Sequence, residues 1–421
     1  MVDALPALAA ACGDGLARAA GPDDGVAGVP ARWVAAPATA ADVAAVLRVA
    51  AEHDLVVVPR GSGTKLDWGR PPSTVDVVLD TGRLSGVFAH TPGDLVATVG
   101  AGTPLRAFQE ALAPAGQRLA LDGATPDSTV GGALATGEAG PLRLRFGAGR
   151  DLLIGVEFAR ADGVLARAGG QVVKNVAGYD LGKLLCGSYG TLGIITSATF
   201  RLHPVPAARS WICRPVATPG EVRDVVADLL VAPVAPGAVE VDLPAANPAP
   251  DNGSAGSGTV AVLIEGTPDG VAARAEAVAR LLGPEASTVD NPPEWWGRYP
   301  FGAGDIALKL VMPIAEQHAA VYALHDAAGV PVPVRGSAGT GVLFAALPGD
   351  TPADRVTAVL DAVRGVLVGR GGSCVVLSAP PAVRDAVDLW GPVPGLDLMR
   401  RVKDQFDPRR RLSPGRFVGG L

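Results

Sequence analysis

The chain has 421 residues, of which 48% are hydrophobic and 19% are charged, and its formal net charge is −6. This length suits two or three domains, and the apolar content excludes a chain that is disordered throughout. The acidic balance argues against a broad nucleic-acid interface, and no apolar run approaches the roughly 20 residues that a membrane span needs.

The N-terminal residues and the cysteines both predict a cytoplasmic protein. The stretch MVDALPALAAAC, in segment 1–27, carries Asp3 where an export signal carries Lys or Arg, so it predicts the start of a helix, with an export or lipid-anchor signal as the alternative. Four cysteines are far apart, and none forms a CxxC pair: Cys12, Cys186, Cys213 and Cys374. This spacing excludes a cysteine-ligated iron–sulfur or zinc site within the chain and fits a reducing compartment.

The first half of the sequence predicts an alternation of short strands and helices. Thr39 opens a capping-box pattern that predicts a helix over about 40–53. The stretches LVVVP, VDVVLDT and DLVATVGAG indicate strands. The stretch TPLRAFQEALAPAG indicates a helix with Pro104 in its first turn and Gly116 just past its end. Further strands are expected at about 152–160 and 193–202.

The second half begins at His203-Pro204-Val205-Pro206, a pattern that indicates a hinge between domains. Strand–helix–strand units are then predicted at about 210–245, 258–290 and 305–347, the last with a helix near 314–328. The stretch NPAPDNGSAGSG at 247–258 is expected to form a loop. A helix near 352–369 and the basic segment MRRVKDQFDPRRRLSPGRF end the chain. In isolation that segment would indicate a patch for nucleic acid or anionic lipid.

A glycine-rich loop, PRGSGTKL, follows the LVVVP strand. Gly61 and Gly63 allow backbone N–H groups to approach a phosphate closely and form an anion nest. Cationic and hydroxyl side chains alternate with these glycines: Arg60, Ser62, Thr64 and Lys65. The spacing matches neither a P-loop nor the GxGxxG fingerprint. The loop predicts a pyrophosphate site, and a tight strand-to-helix turn is the structural alternative.

Two further glycine-rich loops follow, DGATPDSTVGGALATGEAG and GGQVVKNVAGYDLGKLLCGSYGTLGIIT. The ordered set PRGSGTKL, PDSTVGG and GSYGTLGIIT resembles the flavin-binding domain of the vanillyl-alcohol-oxidase-type FAD oxidoreductases over about 28–207. Within that superfamily, GEAGPLRLRFGAGRDLLIGVEFARADG, KNVAGYDL, GSAGTGVLFAAL and FDPRRRLSPGRF resemble the FAD-binding E subunit of bacterial glycolate oxidase.

The resemblance implies an α+β architecture. A PCMH-type FAD-binding domain of two subdomains is expected at 28–207, and an α/β FAD-linked-oxidase cap domain at 208–380. The C-terminal segment, 381–421, would pack back on the FAD domain, which gives the basic residues a structural role.

The resemblance also implies a complex. The partners would be a D-lactate-dehydrogenase-like flavin subunit and an iron–sulfur subunit that passes electrons toward the membrane quinone pool. The chain would then contact the inner face of the membrane only through these partners.

The same resemblance assigns cofactor residues in four groups. The pyrophosphate would be held by Pro59, Arg60, Gly61, Ser62, Gly63, Thr64 and Lys65, and the phosphate and ribose side by Pro126, Ser128, Thr129, Gly131 and Gly132. The ribityl and adenine end would be covered by Gly190, Gly193 and Ile195, and the flavin ring by Arg145 and Tyr179. Structural alternatives are close packing at Gly131 and Gly132 and a core aromatic at Tyr179. Because Thr64 occupies the place of the histidine that links FAD covalently in some relatives, non-covalent FAD is expected.

The substrate site is less well specified. The catalytic relatives bind a divalent metal with a GHxGDGNxH-like segment, whereas this chain has RGSAGTGV at 335–342, without those histidines or the aspartate. No metal and no catalytic residue is therefore predicted. His318 and His325 lie seven residues apart on one predicted helix. They indicate either a solvated face of that helix or a base that acts on the substrate. A substrate carboxylate could be held by Arg298, Lys309 or Arg335, although ordinary surface salt bridges would explain these three residues equally well. The stretch EWW at 294–296 indicates a pocket wall or a subunit interface.

Three functional hypotheses follow. The first is an FAD-binding subunit of a glycolate oxidase-type complex that oxidises glycolate or a similar 2-hydroxy acid to the 2-oxo acid. The second is a non-catalytic flavin-binding scaffold subunit. The third is a stand-alone FAD-dependent D-2-hydroxy-acid dehydrogenase.

Overall fold

A computed structural model describes residues 3–13, 15–170, 178–245, 258–329 and 332–421. The contacts divide the chain into two units. The first unit comprises Met1–Ala139, Gly147–Val205 and Val393–Leu421, and the second comprises Gly140–Phe146 and Pro206–Pro392. The predicted loop at 247–258 lies outside the described residues except for Gly258, and so does 174–177 of the KNVAGYDL stretch.

The secondary structure is as follows. The strands are β1 (Ala17–Ala19), β2 (Trp33–Ala35), β3 (Val57–Arg60), β4 (Val77–Asp80), β5 (Val87–Thr91), β6 (Val96–Gly100), β7 (Gln117–Arg118), β8 (Leu153–Ala159), β9 (Leu165–Gly169), β10 (Ile194–Arg201), β11 (His203–Pro204), β12 (Ala208–Val216), β13 (Ala238–Leu243), β14 (Gly258–Gly266), β15 (Ser287–Val289), β16 (Ile306–Val311), β17 (Val334–Ser337), β18 (Val342–Leu347) and β19 (Ser373–Ser378). The helices are α1 (Leu5–Cys12), α2 (Ala40–Glu52), α3 (Leu105–Leu112), α4 (Val130–Thr136), α5 (Arg143–Phe146), α6 (Gly149–Leu152), α7 (Leu181–Leu185), α8 (Pro219–Val231), α9 (Pro268–Leu282), α10 (Gln317–Ala328), α11 (Ala353–Val368), α12 (Pro381–Arg384) and α13 (Leu396–Phe406). Single 3-10 turns lie at Pro22–Asp24, Pro92–Asp94, Ala113–Ala115, Ile314–Glu316 and Val418–Gly420.

The first sheet of the first unit, β1-β2-β4-β3, positions the first glycine-rich loop. Strands β2, β4 and β3 are parallel, and α2 joins β2 to β3. The capping box is formed: Asp42 N donates to Thr39 Oγ1 at 3.1 Å, and Thr39 N donates to Asp42 Oδ2 at 3.0 Å. Val46 of α2 packs with Val57 of β3 in one buried cluster. The predicted helix and strand are confirmed, and the loop leaves the carboxyl end of β3 at Arg60.

The second sheet of this unit carries the other two loops. It is antiparallel, in the order β5-β6-β10-β8-β9. The second loop leads into α4, which packs against β6 and β10, and the third loop leads directly into β10 at Ile194. Strands β5 and β9 were not predicted, because these edge strands are largely exposed and lack an apolar run.

The C-terminal residues add to the first sheet. Val57 N donates to Arg411 O at 2.8 Å, and Ser413 N donates to Val57 O at 3.0 Å, beside β3. A buried ion pair fixes the turn before this contact: Lys403 Nζ lies 2.7 Å from Asp407 Oδ2 and donates to two backbone carbonyls. The chain therefore returns to the strand that bears the first loop.

The second unit is one antiparallel sheet of eight strands, β15-β12-β14-β13-β17-β18-β16-β19. Alternate strand residues, such as Leu308 and Val241, pack with residues of α8, α9, α10 and α11 in the largest buried cluster. The opposite face of the sheet carries a row of cross-strand partners that runs Asp242, Arg335, Phe344, Lys309. The fold therefore gives this unit one apolar face under helices and one face with charged residues.

The contact division does not follow the predicted domain ranges throughout. It assigns 140–146 to the second unit, and within the predicted C-terminal segment only Val393–Leu421 belongs to the first unit. The described part of the chain contains no helix long and apolar enough to cross a bilayer.

Candidate cofactor and substrate sites

A pocket in the first unit is lined by all three glycine-rich loops. Its wall consists of Pro59, Gly61, Ser62, Gly63, Thr64, Lys65 and Leu66 from the first loop, Thr129, Gly131, Gly132, Ala135 and Thr136 from the second loop and α4, Tyr189, Gly190, Gly193, Ile194 and Ile195 from the third, and Thr81, Ala101 and Arg416. Twelve residues predicted to bind the cofactor are thus brought together: Pro59, Gly61, Ser62, Gly63, Thr64, Lys65, Thr129, Gly131, Gly132, Gly190, Gly193 and Ile195.

The loops meet because glycines remove side chains from the points of contact. A Cβ added at Gly61 would overlap the side chain of Thr129, which is the N-cap of α4. A Cβ at Gly190 would lie 2.7 Å from Pro59 Cγ, and Gly190 also has a φ of +73°, a conformation that favours glycine. The first loop thereby touches the second loop on one side and the third on the other.

The first loop offers unpaired backbone donors to this pocket. No acceptor within the described part of the chain is found for the N–H groups of Ser62, Gly63 and Thr64. Gly63 has a φ of +79°, which turns the chain in the manner of an anion nest. The side chains of this loop are not equally available, since Ser62 Oγ donates to Asp127 O at 2.7 Å. The loop can therefore bind an anion chiefly through its backbone.

The two predicted cations of the first loop are already neutralised. Arg60 pairs with Asp24 at 3.2 Å and with Asp80 at 2.9 Å, and it does not line the pocket. Lys65 lines the pocket, but its Nζ lies 2.6 Å from Glu138 Oε2 and donates to Ser128 Oγ. Both side chains of the Lys65–Glu138 pair are buried. These ion pairs join separate chain segments, so the two cations stabilise the fold and are not free to bind a phosphate.

Besides Arg60, four other predicted residues do not line the pocket. Pro126 and Ser128 are absent from the described wall, although Ser128 bonds to Thr64 behind it at 3.2 Å. Arg145 belongs to the second unit, on the short helix α5. Tyr179 belongs to the first unit and is 92% exposed, so the core-aromatic alternative is wrong.

Tyr189 and Arg416 are among the pocket residues that the sequence analysis did not predict. Tyr189 has a φ of 56° and stacks on Phe417 at 5.3 Å between ring centroids, and burial raises its phenol pKa to about 12. Arg416 reaches the wall from the C-terminal segment, within the basic stretch that the sequence assigned a structural role. The sequence around Arg416 does not distinguish it from the arginines at 409–411, because only the fold decides which of these side chains points into the pocket.

In the second unit, the three candidate cations differ in their partners. Arg335 Nε donates to Asp242 Oδ1 at 2.8 Å, and its Nη1 donates to Tyr299 O at 3.2 Å. Lys309, half-buried on the same face, has no hydrogen-bond or ion-pair partner within the described residues. Burial, and then the nearby Arg143 guanidinium, lower the Lys309 pKa to about 8. For Arg298, the contact found is a backbone one, to Trp295 O.

The other features noted in this half serve the packing of the unit. Trp296 meets Trp211 edge-on at 6.2 Å and lies beside Trp295, so the paired tryptophans pack within the unit. His325 Nε2 lies 3.1 Å from Val332 O, and His318 Nδ1 is buried without a partner in the described residues. Among those residues, no group of three or more His, Cys, Asp or Glu side chains is arranged to hold a metal ion.

Residues 31–169 match a family described as FAD binding domain. The chain is 33% identical to glycolate oxidase subunit GlcD of Bacillus subtilis over 208 residues, 49% of this chain and 44% of that protein. It is 40% identical to glycolate oxidase subunit GlcE of Escherichia coli over 154 residues, 36% of this chain and 43% of that one. It is 36% identical to D-lactate dehydrogenase of Archaeoglobus fulgidus over 171 residues, 41% and 38% of the respective chains.

Each of these alignments spans less than half of the relative's length. A solved structure of alkyldihydroxyacetonephosphate synthase superposes on 91% of this chain and 77% of its own, with a TM-score of 0.67 and 18% identity, which shows the fold alone. The predicted α+β fold with a PCMH-type FAD-binding domain is confirmed, and so is FAD as its cofactor.

The pocket fits that cofactor on its own chemistry. Its donors include three backbone N–H groups of the first loop that have no acceptor among the described residues, and its glycines leave room for close approach. Such an array suits a diphosphate, which presents several acceptor oxygens and no donors at neutral pH. The residues that would hold the diphosphate are therefore Ser62, Gly63 and Thr64 through their N–H groups.

Replacing Gly61 with alanine is expected to abolish or severely weaken FAD binding. The new methyl group would force the first loop away from Thr129 and open the convergence of the loops. Titration of the apoprotein with FAD, followed by flavin fluorescence, measures this change. Gly93→Ala is the matched control, because its Cβ would meet nothing within 4 Å and its φ is ordinary. Equal FAD affinity in both variants would contradict the packing argument.

We expect FAD to be held without a covalent bond. The described wall of the pocket contains no histidine or cysteine, and Thr64 bonds to Ser128. Acid precipitation of the holoprotein should leave the yellow colour in the supernatant. A yellow pellet after extraction would overturn the prediction.

Proposed function

We propose that this chain is the FAD-binding subunit of a glycolate oxidase-type complex, oxidising glycolate or a similar 2-hydroxy acid to the 2-oxo acid. The observation that carries the proposal is the pocket lined by three loops in a domain that matches the FAD binding domain family. Relatives named as two glycolate oxidase subunits and a D-lactate dehydrogenase direct it toward 2-hydroxy acids. The partners proposed are a D-lactate-dehydrogenase-like flavin subunit and an iron–sulfur subunit, which would bring the chain to the inner face of the membrane.

Oxidation of a 2-hydroxy acid needs a cation for the carboxylate, an acceptor for the hydroxyl proton and an acceptor for the hydride. Bound FAD supplies the last of these. Lys309 is the best-supported carboxylate anchor in the second unit, because its charge has no partner within the described residues, whereas Arg335 is paired with Asp242. A partly buried ammonium group binds a carboxylate more strongly than an exposed one, since less water competes for it.

A flavin-binding scaffold without its own turnover is the second candidate. It is favoured by the stretch 335–342, which lacks the histidines and aspartate of the metal-binding relatives, and by the absence of a metal-ligand cluster among the described residues. In that case the cofactor would serve stability and electron transfer within the complex, and the substrate would be oxidised on the partner flavin subunit.

The test compares the isolated chain with the reconstituted complex. Glycolate-dependent reduction of an artificial dye is measured for this chain alone, for the partners alone and for all subunits together. We expect full activity only when this subunit is present. Unchanged activity on omitting it would refute the proposed role, and bleaching of its flavin by glycolate in the isolated chain would exclude the scaffold alternative.

Replacing Lys309 with methionine is expected to raise the KM for glycolate by about 10- to 100-fold at pH 7, the loss of one charge-assisted hydrogen bond. Because only the protonated amine holds the carboxylate, the wild-type KM should rise as the pH passes upward through about 8, the Lys309 pKa. This rise should be absent from the variant.

Lys183→Met, at an exposed lysine of the first unit, is the control. A wild-type KM that does not change between pH 6.5 and 9.5 would remove Lys309 from the substrate site.

A further inference from the structure

We propose that Arg416 supplies the positive charge that balances the diphosphate of FAD, so that the bound cofactor stabilises the docking of residues 407–417 against β3 and the first loop. We call residues 407–417 the C-terminal clasp. The inference needs FAD binding but not the proposed oxidase activity, because it concerns the cofactor and the stability of this segment.

Arg416 is a buried cation that forms no ion pair with a carboxylate of the described residues. Its side chain lies in the pocket wall, and the residue is 4% exposed. Its Nη2 donates to Leu66 O at 3.0 Å and to Trp68 O at 2.9 Å, whereas its Nε is buried without an acceptor among the described residues. Two carbonyl oxygens orient the guanidinium group, and the Asp67 carboxylate acts on it only through space, so the cation has no direct ionic partner among the described residues.

Two other buried cations of the first unit, Lys65 and Lys403, differ from Arg416 in this respect. Lys65 is paired with Glu138 at 2.6 Å, and Lys403 with Asp407 at 2.7 Å. Burying a charge without a partner is costly, because the water that solvated it is lost. Desolvation accordingly lowers the pKa of Arg416 to about 10. The neighbouring Tyr189 is a neutral phenol at physiological pH, so it does not supply the missing negative charge.

The pocket itself indicates what the missing charge is. Arg416 lines the same wall as the unpaired N–H groups of Ser62, Gly63 and Thr64. An anion with several acceptor oxygens would satisfy both sets of donors, and a diphosphate has this form. Arg60 and Lys65, the cations closest in sequence, are occupied by carboxylates. Arg416 is therefore the side chain best suited to the charge of the diphosphate.

The position of Arg416 depends on the clasp. Ser413 N donates to Val57 O at 3.0 Å, Ser73 N to Pro414 O at 2.8 Å, and Arg70 N to Arg416 O at 3.1 Å. These bonds join the clasp to β3 and to the segment after the first loop. Because binding and folding are linked, a ligand that pairs with Arg416 must stabilise the docked clasp by the same free energy that the clasp contributes to ligand binding.

Limited trypsin digestion of the apoprotein measures this coupling, because Arg409, Arg410 and Arg411 lie in the clasp. We expect saturating FAD to slow cleavage there by about tenfold or more. ADP, which carries the diphosphate without a flavin, should protect as well, whereas riboflavin, which has no phosphate, should not. These ligands test the inference on the wild-type chain, so it does not depend on a variant that folds. Equal protection by riboflavin, or none by FAD and ADP, would overturn it.

The variant experiment uses Arg416→Gln, which removes the charge, and Arg416→Lys, which keeps it. We expect Arg416→Gln to weaken FAD binding by about 10- to 100-fold and to abolish the protection of the clasp, with partial recovery in Arg416→Lys. Arg410→Gln is the matched control, because Arg410 is exposed on the same segment and pairs with Asp404. Wild-type FAD affinity in Arg416→Gln would refute the assignment. If Arg416→Gln does not fold, Arg416→Lys and the ligand series decide.

Discussion

The close approach of three backbone segments in the first unit is the constraint on which the cofactor site depends. The first loop touches the second where Gly61 meets Thr129, and it touches the third where Pro59 meets Gly190. Neither contact tolerates a Cβ at the glycine, so the pocket exists only because side chains are absent at these points. A buried network then holds the loops at this distance, since Lys65 of the first loop bonds to Ser128 and Glu138 of the second.

The charges of the first unit are arranged around that network. Cations that lie next to the glycines in sequence serve the fold: Arg60 joins Asp24 to Asp80, and Lys65 satisfies Glu138. Among the described residues, the backbone N–H groups of Ser62, Gly63 and Thr64 and the guanidinium group of Arg416 remain as donors for a ligand. A nest of N–H groups has its direction set by the backbone, so it binds a diphosphate without side chains that would have to be ordered first.

The two faces of the sheet in the second unit have different roles. One face is apolar and lies under four helices, which supplies the stability of the unit. The other face places Asp242, Arg335, Phe344 and Lys309 in one cross-strand row. Within this row Asp242 and Arg335 form an ion pair with each other. Lys309 has no ion-pair partner among the described residues, so a substrate carboxylate could pair with it. The face thus gives a substrate hypothesis that does not depend on the missing metal-binding segment.

The sequence by itself determined the local elements and the chemistry of the loops. The capping box at Thr39, the strand before Arg60 and the three glycine-rich stretches could be predicted because each depends on residues near one another in the chain. The edge strands β5 and β9 could not, since their exposed residues lack an apolar pattern. Only the tertiary structure decided which charges are free, because the partners of Arg60, Lys65 and Arg335 are distant in sequence. The same reason explains Arg416: its role depends on a chain end that returns to β3, and side-chain type alone does not tell a buried cation from an exposed one.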